Sequence, residues 1–178
     1  MTFSHDAQEV VTEVLAGLNS ILSLAAAEPS VKRFVYTSSS TAATSVSLPL
    51  NTALAVDSNS WNEQDIKDAY APPPYPPHQG WIVYGASKAF AEKALWDFVK
   101  KEKPGFVVNS VLPNGTFGKT LVTGQSASST IWVKALYNGN DSVAKRVPPR
   151  KSPFNLYRVL CLLSNGYETH TNLQKDGL

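Results

Sequence analysis

The sequence predicts an α/β fold built on a parallel sheet, and three observations carry that expectation. Two short β-branched and aromatic segments, "VKRFVYT" and "FVVNSVL", have the composition of buried strands. Long stretches of helical periodicity precede the first and separate it from the second. The resulting order of helix, strand, helix, helix, strand fits crossover connections between parallel neighbours.

Each element has its own justification. From Ala7 to Glu28, apolar residues recur at Val11, Val14, Leu18, Ile21, Leu22 and Ala25, the spacing of one buried helical stripe, and Pro29 stops it. "VKRFVYT" follows as the first strand and runs into "SSSTAATS", too rich in hydroxyls to continue it. "SWNEQDIKDAY" reads as a short helix, with Ser60 as its N-cap and Glu63 three residues on, the spacing of a capping box. "APPPYPPHQG" lacks the backbone donors that a helix or central strand needs and is expected to be an ordered surface loop. Its "PPPY" also fits a WW-domain ligand, a short motif that turns up by chance in many loops. A long helix is expected from about Trp81 to Lys101, with Tyr84, Lys88, Ala91, Leu95 and Phe98 along one face and lysines at its negative end. Pro104-Gly105 ends it, "FVVNSVL" is the second strand, and "PNGTFG" breaks that strand. Ser128 to Tyr137 is a further amphipathic helix through Ile131, Trp132, Ala135 and Leu136. The apolar run "NLYRVLCLLS" fits helix or strand equally. Two parallel strands need neighbours to bury both faces, so part of a sheet is expected to be missing.

Composition narrows the function classes. The 178 residues are 43% hydrophobic and 17% charged with formal net charge +2, which suits one globular domain. No basic stripe or recognition motif suggests a nucleic-acid partner; "AKRVPPRK" is two cation pairs split by prolines. The lone Cys161 rules out an internal disulfide framework and suits the cytoplasm. His5, His78 and His170 are too scattered for a metal-ligand spacing, so no metal is expected. No apolar run reaches membrane-spanning length and no basic n-region opens the chain, so neither a membrane span nor a signal peptide is expected. The sequons at Asn114 and Asn140 carry little weight without secretion.

The residues that point to chemistry are Tyr84 and Lys88 in "YGASK". Hydride transfer to a ketone leaves an alkoxide that needs a proton. A free phenol, with a pKa of about 10, becomes a better acid–base group beside a cation that favours phenolate. Lys88 lies one turn after Tyr84 and can supply that field. A Tyr–Lys pair is also common on inert helix surfaces, and the spacing alone identifies nothing. The setting adds weight: "TSSS" and "PNGTFG" end two parallel strands, so both belong at the carboxyl edge where doubly wound folds bind ligands. A serine there can hold a carbonyl oxygen, or merely cap the turn that follows.

Taken together, "VKRFVYTSSSTAAT", "WIVYGASKAFAEKALWDFVKKEKPGF" and "VNSVLPNGTFG" resemble the extended short-chain dehydrogenase/reductase family, in its NAD-dependent epimerase/dehydratase-type branch near carbonyl and dihydroflavonol reductases. The resemblance runs from about Ser4 to Pro149. It implies a Rossmann-like doubly wound parallel sheet and reduction of a small-molecule carbonyl, or oxidation of an alcohol, with NAD or NADP, NADPH being favoured. It further implies Tyr84 as acid/base and Lys88 as its pKa modifier and ribose ligand. Ser39 is implied as the hydroxyl that orients the carbonyl, with Ser38 as the neighbouring alternative. Thr37, Ser38, Pro113 and Asn114 would lie at the nicotinamide end of the cofactor.

Three departures qualify the resemblance. No glycine-rich dinucleotide turn is present, so the domain at 1–149 is expected to be partial and the chain, as written, to bind nucleotide weakly or not at all. Residues 150–178 diverge from the family and read as a separate tail. Thr12 stands where many members carry an active-site asparagine. The rival readings are an epimerase or dehydratase using the same tyrosine, and a non-catalytic truncated paralogue acting through protein interaction.

Overall fold

The computed structural model describes residues 4–45, 47–48, 55–114 and 128–140. The expected tail at 150–178, with its apolar run, lies outside the described residues, as do the basic run at 144–151 and all but the first two residues of "PNGTFG".

Helix α1 spans Ala7–Ala27 and starts where the Asp6 carboxylate accepts the Glu9 N–H at 3.1 Å. Strand β1 is Arg33–Thr37, followed by a 3-10 turn at Ser40–Ala42. Helices α2 (Glu63–Ala69) and α3 (Gln79–Glu102) form the crossover to β2 (Val107–Val111), and α4 is Ser128–Tyr137. The two strands pair in parallel with Arg33 opposite Val107 and Thr37 opposite Val111, as the element order predicts. Lys103, in the left-handed region at φ 45°, closes α3 with its N–H on the Val99 carbonyl, one residue before Pro104-Gly105.

Helix α3 is the hub. On one side Leu18 and Leu22 of α1 meet Ala91, Leu95 and Val99 of α3, together with Phe106 and Val108. Leu22 and Leu95 are fully buried, and each contributes about 1.5–3 kcal/mol. On the other side Ala7 and Ala69 pack on Ile82, Val83 and Ala86. Burial on several faces explains why α3 carries so little surface polarity in its first half.

Three expectations need correction. Ile21 is 57% exposed and does not belong to the buried stripe of α1, which runs through Val11, Leu18 and Leu22. The N-cap of α2 is Asn62, whose Oδ1 accepts the Asp65 N–H at 3.0 Å; Ser60 instead closes a turn with Asp57, donating to its carboxylate at 2.8 Å. Helix α1 is also long and apolar enough to cross a membrane by length and composition, because alanine and small polar residues rather than charges separate its large side chains. Its buried stripe is packed on α3. Val35 of β1 is 54% exposed.

Candidate active site

The strand pairing continues past both strand ends. The Ser38 N–H donates to the Val111 carbonyl at 2.8 Å, and the Ser40 N–H to the Pro113 carbonyl at 2.9 Å. "TSSS" and the Pro113-Asn114 pair therefore lie side by side at the carboxyl edge. Thr37 and Asn114 are exposed there, and Pro113 is half-buried.

Ser38 and Ser39 are both buried, but their hydroxyls do different things. Ser38 Oγ donates to Glu92 Oε2 at 2.5 Å. Ser39 caps the 3-10 turn, its Oγ accepting from the Thr41 N–H at 3.3 Å and from the Thr41 hydroxyl at 3.0 Å. Accepting twice uses the oxygen's lone pairs and leaves its O–H able to donate.

Tyr84 and Lys88 stand on α3, both half-buried. Lys88 Nζ lies 5.7 Å from the centre of the Tyr84 ring, and Trp81 meets that ring edge-on at 6.0 Å. Burial pushes the Lys88 ammonium down from its usual value. Tyr36 of β1 reaches the same space: its phenol is pushed up by burial, then by the charges of Glu92 and Tyr84. The face of α3 that carries Tyr84 and Glu92 thus abuts the strand that leads to Ser39.

A polar latch fixes the level of Tyr84. Asp65, 0% exposed, accepts from the Ser45 hydroxyl and from Asn62 Nδ2, the latter at 2.7 Å. Asn62 Nδ2 also donates to the Thr41 carbonyl at 2.7 Å, and the Asn62 N–H to the Ala42 carbonyl at 2.9 Å. The turn after Ser39 is therefore tied to α2. The Asp65 carboxylate in turn presses on Gly85, where a Cβ would come within 2.1 Å of Oδ2. Only glycine permits that approach directly after Tyr84.

The sequence did not single out Glu92, Asp65 or Gly85. Glu92 left one signal, its place two turns after Tyr84 and one after Lys88 on the same helical face; Asp65 and Gly85 left none that is local. Burial pushes the Glu92 carboxyl up, opposed by the hydroxyls and indole N–H around it. A raised folded value favours the protonated form, so this stability is present below the unfolded carboxylate range and lost as pH rises through the folded value. Glu92→Gln should therefore gain on the parent as pH rises from about 4 into the neutral range. Melting curves of the two across that range check it; parallel profiles would contradict the assignment.

Thr12 is exposed on α1 and accepts from Gln8 Nε2 at 3.3 Å. The proline loop is exposed as expected, with the Tyr75 ring 6.3 Å from that of His5. A cavity of about 230 Å³ lies under it, lined by Asp68, Tyr75, His78 and Ile82 among others, and Tyr84 is not part of its wall.

No family model matches the chain. It is 42% identical over 137 residues to NAD-dependent epimerase/dehydratase terH of Aspergillus terreus, covering 77% of this chain and 40% of that protein. It is 41% identical over 150 residues to aldehyde reductase 2 of Sporidiobolus salmonicolor, covering 84% and 43% respectively. A solved reductase, engineered to attenuate substrate inhibition in asymmetric catalysis, superposes with a TM-score of 0.61 at 29% identity, over 78% of this chain and 42% of that one. The chain thus spans less than half the length of these relatives. Over the matched segment the fold is that of the Rossmann-type reductases, and the chain belongs to the extended short-chain dehydrogenase/reductase family.

Proposed function

We propose that this segment, residues 1–149, carries the catalytic half of a cytoplasmic NAD(P)-dependent oxidoreductase that interconverts a small-molecule carbonyl and its alcohol. The observation that carries the reading is the meeting of three elements at one sheet edge: the turn after β1 with Ser39, the segment after β2 with Pro113 and Asn114, and the α3 face bearing Tyr84 and Lys88. The residues suit a nicotinamide nucleotide. Lys88 offers three donors for ribose hydroxyls, and Thr37 and Asn114 are exposed polar groups at the edge with Ser38 and Pro113 beside them. NAD and NADP both fit this half, and NADPH is favoured by the resemblance.

When bound, the nicotinamide supplies or takes the hydride. Ser39 donates its unused O–H to the carbonyl oxygen, polarising the carbon. Tyr84 delivers its phenolic proton to the oxygen as negative charge develops there, and in the reverse direction its phenolate takes that proton back. Lys88 holds a positive charge 5.7 Å from the centre of the Tyr84 ring. Ser38 is the weaker candidate for the carbonyl contact, because its proton is given to Glu92.

The test is the purified protein at its native length, titrated with NADPH and NADH by fluorescence and assayed against aldehydes and ketones. Turnover undiminished by Tyr84→Phe would end the reading. Net consumption of nucleotide with substrate separates it from an epimerase, which returns its hydride; the likeness to terH makes that second reading worth the assay. Lys88→Ala should weaken nucleotide binding, since the ribose hydroxyls lose an ammonium with three donors. Unchanged nucleotide affinity would reduce Lys88 to a helix-surface residue.

A further inference from the structure

We propose that Glu92 is a positioning residue that sets Ser39 against Tyr84, by fastening the end of β1 to the helix that carries the tyrosine. The inference rests on the carbonyl-reduction reading above and adds to it the device that holds its two halves in register.

Glu92 follows Lys88 by one turn and Tyr84 by two, so the three share one face of α3. A carboxyl there would ordinarily be a solvated partner for the lysine. Here it is 2% exposed, and among the described residues the ion pairs are Lys93 with Glu63 and Lys101 with Glu102, neither of which includes it. Burying a carboxyl without a cation is unfavourable unless its hydrogen bonds compensate. Its clear bond is the one from Ser38 Oγ, at 2.5 Å. The Ser110 hydroxyl and the Trp96 indole N–H face the same carboxyl and favour its charged form, although neither closes to full hydrogen-bond geometry. Ser110 lies opposite Tyr36 in the sheet. One side chain of α3 therefore reaches the ends of both strands.

Consequences for the chemistry follow from adjacency. Ser38 is joined through its backbone to β2 and through its side chain to α3, and Ser39 is the next residue. The hydrogen bond from Ser38 to Glu92 links β1's end directly to α3. Without it, the register of Ser39 against Tyr84 rests on apolar packing and the Asn62–Asp65 latch alone, and misplacement by about 1 Å lowers rates by about 100-fold.

The experiment is steady-state kinetics on the protein at its native length, with Glu92→Gln, Glu92→Ala and Ser38→Ala. Glutamine keeps an acceptor oxygen at the same reach and should retain most of the turnover. Alanine at either position should lower kcat by about 10- to 100-fold, and in Glu92→Ala the nucleotide KM should change little. Should Glu92→Ala fail to fold, Ser38→Ala makes the same test with a smaller change. Full kcat in Ser38→Ala, or a Gln variant as impaired as the Ala variant, would overturn the proposal. A parallel Tyr84→Phe variant separates the two readings: if it stays active the proposed function fails, whereas its inactivity beside an unimpaired Ser38→Ala removes Glu92's role alone. Independently of activity, the melting temperatures of the Ser38→Ala and Glu92→Ala pair must be non-additive. Additive shifts would show that the two side chains are not coupled.

Discussion

Replacing Tyr84 with phenylalanine should lower turnover by about 10²–10⁴-fold while leaving nucleotide affinity close to that of the parent. The phenol's proton matters only as the alkoxide forms, so its loss falls on kcat rather than on binding. The ring itself stays, and with it the edge contact to Trp81 and the cation of Lys88 over its face. The variant is thus a deletion of one proton donor in an otherwise preserved site. Single-turnover assays with pre-bound nucleotide give the cleanest measurement. Retention of most of the activity would mean that another group supplies the proton, and the assignment of Tyr84 would fall.

The second large effect is expected one residue later. Gly85→Ala places a methyl group 2.1 Å from Asp65 Oδ2 and 3.2 Å from Asn62 Nδ2, the ends of two short side chains that are held in place by buried hydrogen bonds. Overpacking of this kind destabilises by about 1–3 kcal/mol. For a chain of this size that is a fall in melting temperature of about 2–12 °C. Activity should fall further than stability, because the displaced backbone is that of Tyr84's neighbour. Adding Asp65→Ala removes the clashing carboxylate, so the double variant should be strongly non-additive. A Gly85→Ala protein that melts with the parent would show that α2 and α3 stand further apart than described.

Most of the fold was legible because local signals and tertiary packing agree. The stripe Val11, Leu18, Leu22 marks α1, the β-branched runs mark β1 and β2, and the prolines bracket α3. The errors came where two local signals were equally good. Ser60 and Asn62 are both favourable N-caps, and contact with Thr41 and Ala42, distant in sequence, decided for Asn62. Ile21 fits the apolar period of α1 yet faces outward, since α3 covers only part of that helix. Tyr84, Lys88 and the serines were readable as a candidate set because their chemistry and order form a known pattern. Glu92 and the Asp65–Gly85 contact were not, because a buried carboxyl and a surface one look alike in sequence, and their partners lie on other elements.

The Asp65–Gly85 contact bears on what a motif records. Written as Tyr-x-x-x-Lys, the pattern treats the three middle positions as blanks carrying no information. Here the first is constrained to a residue without a side chain by a carboxylate from another helix, and the third, Ser87, gives its hydroxyl to the Tyr84 carbonyl at 2.8 Å. The blanks therefore encode the depth at which the tyrosine sits, while the named letters encode only what it can do. A search that pairs Tyr-Gly-x-Ser-Lys with an upstream Asn-x-x-Asp would select chains by the geometry of their site, and it would pass over the many helices that hold a tyrosine and a lysine one turn apart by accident.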